Sequence, residues 1–107
     1  MFGIPITPHP DGSFRATAMV EAGRSSAVVK RSWVTFGSTW GGSHVLISAL
    51  DDHGNVMPRG VLQADVPNNR RVVLEMPSGA VMVTVEGRAD PGAVPAAGVS
   101  EIWRDYD

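Results

Sequence analysis

The residues best suited to chemistry in this chain are three histidines, His9, His44 and His53, eleven carboxylates, a scatter of serines and three tryptophans. A metal site needs ligands that converge on one point. No two of the histidines stand at the i, i+2 or i, i+4 spacing that would place them on one face of a strand or helix, so no metal is expected. The stretch DDHGN (51–55) is acidic, but it lacks the alternating oxygen ligands and the later bidentate glutamate of a calcium loop. The serines, Ser13, Ser25, Ser26, Ser32, Ser38, Ser43 and Ser48 among them, lie in no nucleophile-elbow sequence. GSTWGG (37–42) has neither the lysine nor the following helix of a phosphate loop. Carboxylates brought together by folding are the remaining route to catalysis, and the chain is read as a non-enzyme without a cofactor.

The tryptophans Trp33, Trp40 and Trp103, with Tyr106, suit a different chemistry, because aromatic faces stack on sugar rings. The competing use is packing in the core or at a sheet edge. Two of them exposed and coplanar would favour a carbohydrate-binding module.

Composition bounds these options. A chain of 107 residues has apolar surface for one core. With no cysteine, packing or partner chains must hold the fold. A formal charge of −2, with basic pairs only at Lys30-Arg31 and Arg70-Arg71, gives no basic face for nucleic acid. The opening MFGIPITPHPDG lacks a basic start and an unbroken apolar run, so neither a signal peptide nor a membrane span is expected there.

The elements that must position these residues are strands. Residues 1–12 hold Pro5, Pro8 and Pro10 and read as an extended N-terminal arm, whose alternating Phe2, Ile4 and Ile6 should dock on their own domain or on a neighbour. Residues 13–107 form the single domain. FRATAMVE (14–21) alternates Phe14, Ala16, Ala18 and Val20 against Arg15, Thr17, Met19 and Glu21; Gly23, Ser25 and Ser26 supply a turn, and AVVKRSWVTF (27–36) follows. Its alternation slips at Lys30-Arg31-Ser32, which suggests a bulge or a passage between sheets.

HVLISAL (44–50) and NVMPRGVLQADV (55–66) flank a hairpin turn supplied by Asp52 and Gly54, with Pro58 and Gly60 shortening or interrupting the return strand. RRVVLEM (70–76) and AVMVTVE (80–86) read as a second hairpin across Pro77-Ser78-Gly79. Residues 87–98 read as a surface loop before a last strand at 99–104. About seven short strands and no amphipathic helix predict an all-β, small antiparallel β-sandwich, jelly-roll-like, with a small barrel as the alternative. Between Phe36 and His44, Gly41 and Gly42 are read as turn residues under a covering Trp40, so a β-branched residue at Gly42 should lower stability.

Gly37, Trp40, Gly41 and Gly42, then the Asp52 and Gly54 hairpin, then Pro77 and Gly79 before a valine-rich strand, and finally SEIWR, come in an order that resembles small β-sandwich virion proteins of tailed bacteriophages and prophages. The resemblance covers residues 33–104. It implies a structural protein of the virion, made in the host cytoplasm. The first expectation is a head decoration or cement protein on the capsid surface, contacting the major capsid protein or other virion proteins. A homo-oligomer, in this group a trimer, is implied, with Phe2, Ile4 and Ile6 as assembly contacts and no nucleic acid or membrane partner. A tail- or head-fibre-associated subunit is the related alternative.

Overall fold

The computed structural model describes residues 2–24 and 28–105; the expected turn at Ser25-Ser26 and the aromatic Tyr106 lie outside them. The described elements are all strands: β1 Phe2–Ile4, β2 Ser13–Met19, β3 Gly23–Arg24, β4 Val28–Thr39, β5 Ser43–Leu50, β6 Val56–Val66, β7 Arg70–Glu75, β8 Met82–Ala89 and β9 Val94–Asp105. They form two antiparallel sheets, the first with β1, β9 and β4 side by side and β3 and β7 both on β4, the second in the order β2-β8-β5-β6. Facing each other, the two sheets make the expected β-sandwich.

β4 is the spine of the first sheet. It pairs with β9 from Val28 to Thr39 without a register break. The inward residues along it are Lys30, Ser32, Val34, Phe36 and Ser38, all buried. The apparent slip at Lys30-Arg31-Ser32 is therefore neither a bulge nor a change of sheet. The alternation continues, and its inward positions turn polar towards each end of the sandwich. Lys30 is affordable there because its ammonium bonds to Glu21 at 2.9 Å and Glu101 at 3.2 Å. Burial works against its charge, yet those two carboxylates hold its pKa above the usual lysine value. At the other end the Ser38 hydroxyl donates to the Gly41 carbonyl and pairs with the Ser43 hydroxyl.

The apolar centre lies between these ends. Phe36 from the first sheet stacks on Phe14 from the second, with ring centroids 5.7 Å apart. Val34 and Val99 on one side meet Ile47, Val83 and Val85 on the other in one cluster. Phe14 fits because its cross-strand neighbour is Gly87. A Cβ at Gly87 would lie 1.9 Å from the His44 carbonyl oxygen and 3.1 Å from the Phe14 ring.

Three local expectations are corrected. β7 and β8 are not a hairpin: β7 pairs with β4 and β8 with β2 and β5, so the link between them crosses from sheet to sheet. Residues 87–98 are not one loop. β8 runs to Ala89 and β9 starts at Val94, which leaves a tight turn closed by the Ala93 amide donating to the Asp90 carbonyl. β6 is continuous from Val56 to Val66 despite Pro58 and Gly60. The irregularity is a register shift against β5 between Ser48 and Leu50, where Gly60 leaves space for the Ala49 methyl.

The arm docks on its own domain through β1, which pairs with β9 as Phe2↔Val99, Gly3↔Gly98 and Ile4↔Ala97. Ile4 is 3% exposed and belongs to the core. Ile6 packs against that core from outside. Facing residues of an antiparallel pair stand at disulfide distance, and the chain has no cysteine of its own. Gly3→Cys/Gly98→Cys is accordingly expected to close a disulfide within one chain and stabilise it by about 2–4 kcal/mol. A non-reducing gel reads the outcome, and chains linked to each other would mean that the arm pairs with a neighbour.

Candidate functional site

The histidines do not converge. His9 is in the segment before β2, His44 opens β5 and His53 sits in the β5–β6 turn, and no group of three or more metal-ligating side chains occurs among the described residues. His44 Nδ1 meets Asp65 Oδ1 across β5 and β6 on the exposed face of the second sheet. Ser13 belongs to the same cross-strand row, but Arg88 stands between it and His44. Two strand spacings put them about 10 Å apart. The Ser13 hydroxyl instead donates to Asp11 at 2.6 Å, and that bond holds the Asp11 carboxyl below the usual range. The row therefore lacks the contact between nucleophile and base that a catalytic triad requires.

The acidic turn is consumed by its own backbone. Asp51 Oδ1 accepts the amides of Asn55 and His53, both at 2.9 Å, and the Asn55 bond leads in lowering its pKa. Gly54, with φ 78°, supplies the left-handed residue, while Asp52 points to solvent beside His53. Asp52 lies within the turn, and Asp51 before it supplies the side-chain bonds that hold it; the signal was an aspartate two residues before an amide it can accept. Pro77 and Gly79 form a turn in which the Ala80 amide donates to the Pro77 carbonyl, with Gly79 at φ 97°.

The tryptophans are dispersed. Trp33 lies on the outer face of the first sheet, half-buried, with the Arg31 guanidinium 5.1 Å from its ring centre; Arg31 is itself paired with Glu75. Trp103, 56% exposed, faces Lys30 across β9 and β4, and the Lys30 ammonium sits 4.1 Å from its ring centre. Trp40 is 81% exposed and follows Thr39 at the opposite end of β4. Lys30 and Trp40 are ten residues apart in an extended chain, so about 33 Å separates the Trp103 end from Trp40. No two of the three form a shared stacking platform.

The loop that carries Trp40 differs from its sequence reading. Gly37 is not in the turn; it lies inside β4, close against Arg70 and Arg71. The residues with positive φ are Trp40 at 61° and Gly41 at 146°. Gly42 is needed for space, since a Cβ there would come within 3.2 Å of both Asp90 Oδ2 and the Val66 carbonyl oxygen. Trp40 does not cover the backbone but projects from it. A bulky residue in the left-handed region costs about 1–3 kcal/mol, and this one recovers little of that by burial. Asn69, at φ 63°, is the other non-glycine residue of this kind among those described, and it lies in the adjoining β6–β7 turn. The two turns are tied together, with the Gly41 amide on Asn68 Oδ1 at 3.2 Å and the Asn69 amide on the Ser38 carbonyl at 2.8 Å.

No protein-family model matches the sequence, and no curated protein matches it. Among solved structures, the chain is similar to the enzymatically active domain of bacteriophage CBA120 tailspike protein 4, with 14% identity over 94% of this chain and a TM-score of 0.47. Recombinant pro-11S globulin of pumpkin follows with 16% identity over 97% of this chain and a TM-score of 0.35. A CBM4 structure shares 8% identity over 98% of this chain and 94% of its own length, with a TM-score of 0.37. The chain spans 15% of the tailspike chain and 28% of the globulin.

Two substitutions in the Trp40 loop are expected to act in opposite directions. Trp40→Asn, which tolerates the left-handed region, should raise stability by about 1 kcal/mol. Gly42→Val, which must displace Asp90 or the Val66 backbone, should lower it by about 1–3 kcal/mol. Urea midpoints measure both. A loss with Trp40→Asn would mean that the indole is held by its own chain, and an unchanged midpoint with Gly42→Val would mean that the loop is relaxed.

Proposed function

We propose that this chain is a non-enzymatic structural protein of a bacteriophage virion, a decoration or cement protein that binds the capsid surface as a trimer. The observation that carries the reading is the open edge of β9. β1 covers β9 only from Ala97 to Val99, and among the described residues Ser100–Asp105 has no strand on that side. An unpaired edge accepts a strand from another chain, and most proteins blunt such edges with charge or proline. Here the exposed apolar residues Ile102 at 49% and Trp103 at 56% stand on opposite faces of that open segment, and Phe2 at 42% lies on the adjoining β1 opposite Val99. Phe2 is thus the arm residue best placed to touch a partner, whereas Ile4 acts from the core.

The order of turn motifs shared with phage virion β-sandwiches supports the same reading. So does the geometry of the His44, Asp65 and Ser13 row, which keeps the Ser13 hydroxyl away from the paired His44 and Asp65. A tail- or head-fibre-associated subunit would use the same edge at a different address.

Labelled chain imaged on phage particles tests this reading, with density on the head as the expected result. Density on the tail would select the fibre alternative, and its absence from particles would overturn both. Ile102→Lys should abolish particle binding while leaving the unfolding free energy from urea titration within about 0.5 kcal/mol, because the side chain is half-exposed and outside the core cluster.

A further inference from the structure

The opposite end of the sandwich holds a second surface that the capsid reading does not use. Beside Trp40 runs an open groove of about 330 Å³ whose walls include Thr39, Asn69, Arg70, Arg71, Val94 and Ala96. Four features meet there. Of the two non-glycine residues with positive φ, Asn69 lines it and Trp40 directly follows the lining residue Thr39, and backbone strain of this sort is concentrated at binding sites because the fold must hold it in place. Trp40 is the most exposed of the described large apolar side chains. Trp33 and Trp103 each carry a cation over the ring, a contact that Trp40 lacks among the described residues. Among the described residues Arg70 and Arg71, like Arg15 and Arg59, have no carboxylate partner, whereas Lys30 has two and Arg31 and Arg88 one each.

We propose that this groove binds an anionic polysaccharide, with the Trp40 indole stacked on a sugar ring and Arg70 and Arg71 paired with the carboxylate or sulfate groups of the chain. The chemistry is complementary at each point. An indole face matches the C–H face of a pyranose. Guanidinium groups recognise planar or tetrahedral oxyanions through paired N–H donors. The Thr39 hydroxyl and the Asn69 amide supply the short-range polar contacts that sugar hydroxyls need. Single-stranded nucleic acid would also pair stacking with phosphate contacts, but two arginines on a protein of net charge −2 make a poor backbone track.

The test is a titration of the full chain, followed by tryptophan fluorescence and calorimetry, with alginate oligomers, heparin fragments, neutral dextran and an oligo(dT) strand. Binding of alginate or heparin, weakened by salt, and none of dextran is expected. Trp40→Asn and the double variant Arg70→Gln/Arg71→Gln should each weaken binding by about tenfold or more, a difference easily resolved by titration. Trp103→Ala, at the far end, should leave the affinity unchanged, and circular dichroism confirms folding of every variant. The proposal is overturned if neither anionic sugar binds, if dextran binds as well, if oligo(dT) binds more tightly, or if the two groove variants bind normally. It is independent of the capsid reading, whose own readout is position on the particle, so failure of one leaves the other standing.

Discussion

The fold depends on one contact across the two sheets, the stack of Phe14 on Phe36 above Gly87. Two aromatic rings in parallel offset contact bury more surface than any aliphatic pair in this core could, and they do so at its centre. The stack is possible only because Gly87 offers no side chain where β8 passes under the Phe14 ring and against the His44 carbonyl. Once those rings are fixed, the registers follow. Phe14 opposite Gly87, with Val45 on the far side of Gly87, sets the second sheet, while Phe36 opposite Ala97 and Val72 sets the first. A slip of one residue in β2 or β4 would send every inward side chain to solvent. Polar inward residues at both ends of β4, Lys30 and Ser32 at one and Ser38 at the other, then close the sandwich by hydrogen bonding where hydrophobic burial runs out.

Strand existence was legible in the sequence because it is a local property. The period-two pattern at Phe14, Ala16 and Ala18, or at Val81, Val83 and Val85, marks a half-buried strand whatever its partner. Strand pairing is not local, and it was misread where two well-formed strands flank a turn signal. Pro77 and Gly79 suit a hairpin and a sheet-to-sheet crossing equally well. What decides is that Met76 and Ala80, on either side, are both buried. The link bends around the rim of the core and cannot stand clear of it as a hairpin tip does. Alanine and glycine between 87 and 98 hid strand residues for a related reason: Gly87 and Gly98 are strand positions chosen for lack of bulk.

The Trp40 loop was misread in the opposite direction. Its glycines announced unusual backbone angles, but the sequence assigned them to Gly41 and Gly42 and gave the tryptophan a covering role. In the structure the positive angles fall on Gly41, as expected, and on Trp40 in place of Gly42, and the indole has gained no core contact in exchange. A residue that any asparagine or glycine would replace at lower strain is hard to account for by folding alone. The neighbouring exposed arginines cost nothing in water and need no explanation by themselves. Their position beside a strained aromatic is what gives the groove its meaning.

The two surfaces lie at opposite ends of a molecule 48 Å long. The β9 edge around Ile102 and Trp103 flanks the start of β4, and the Trp40 groove flanks its finish. If both proposals hold, occupying one end leaves the other unobstructed. β4 makes that separation rigid, since its unbroken register with β9 leaves no hinge between the ends. Whatever seats the β9 edge therefore determines which way the Trp40 groove faces. A domain fixed by that edge to a particle would carry the groove outward, where long, charged polymers are met first.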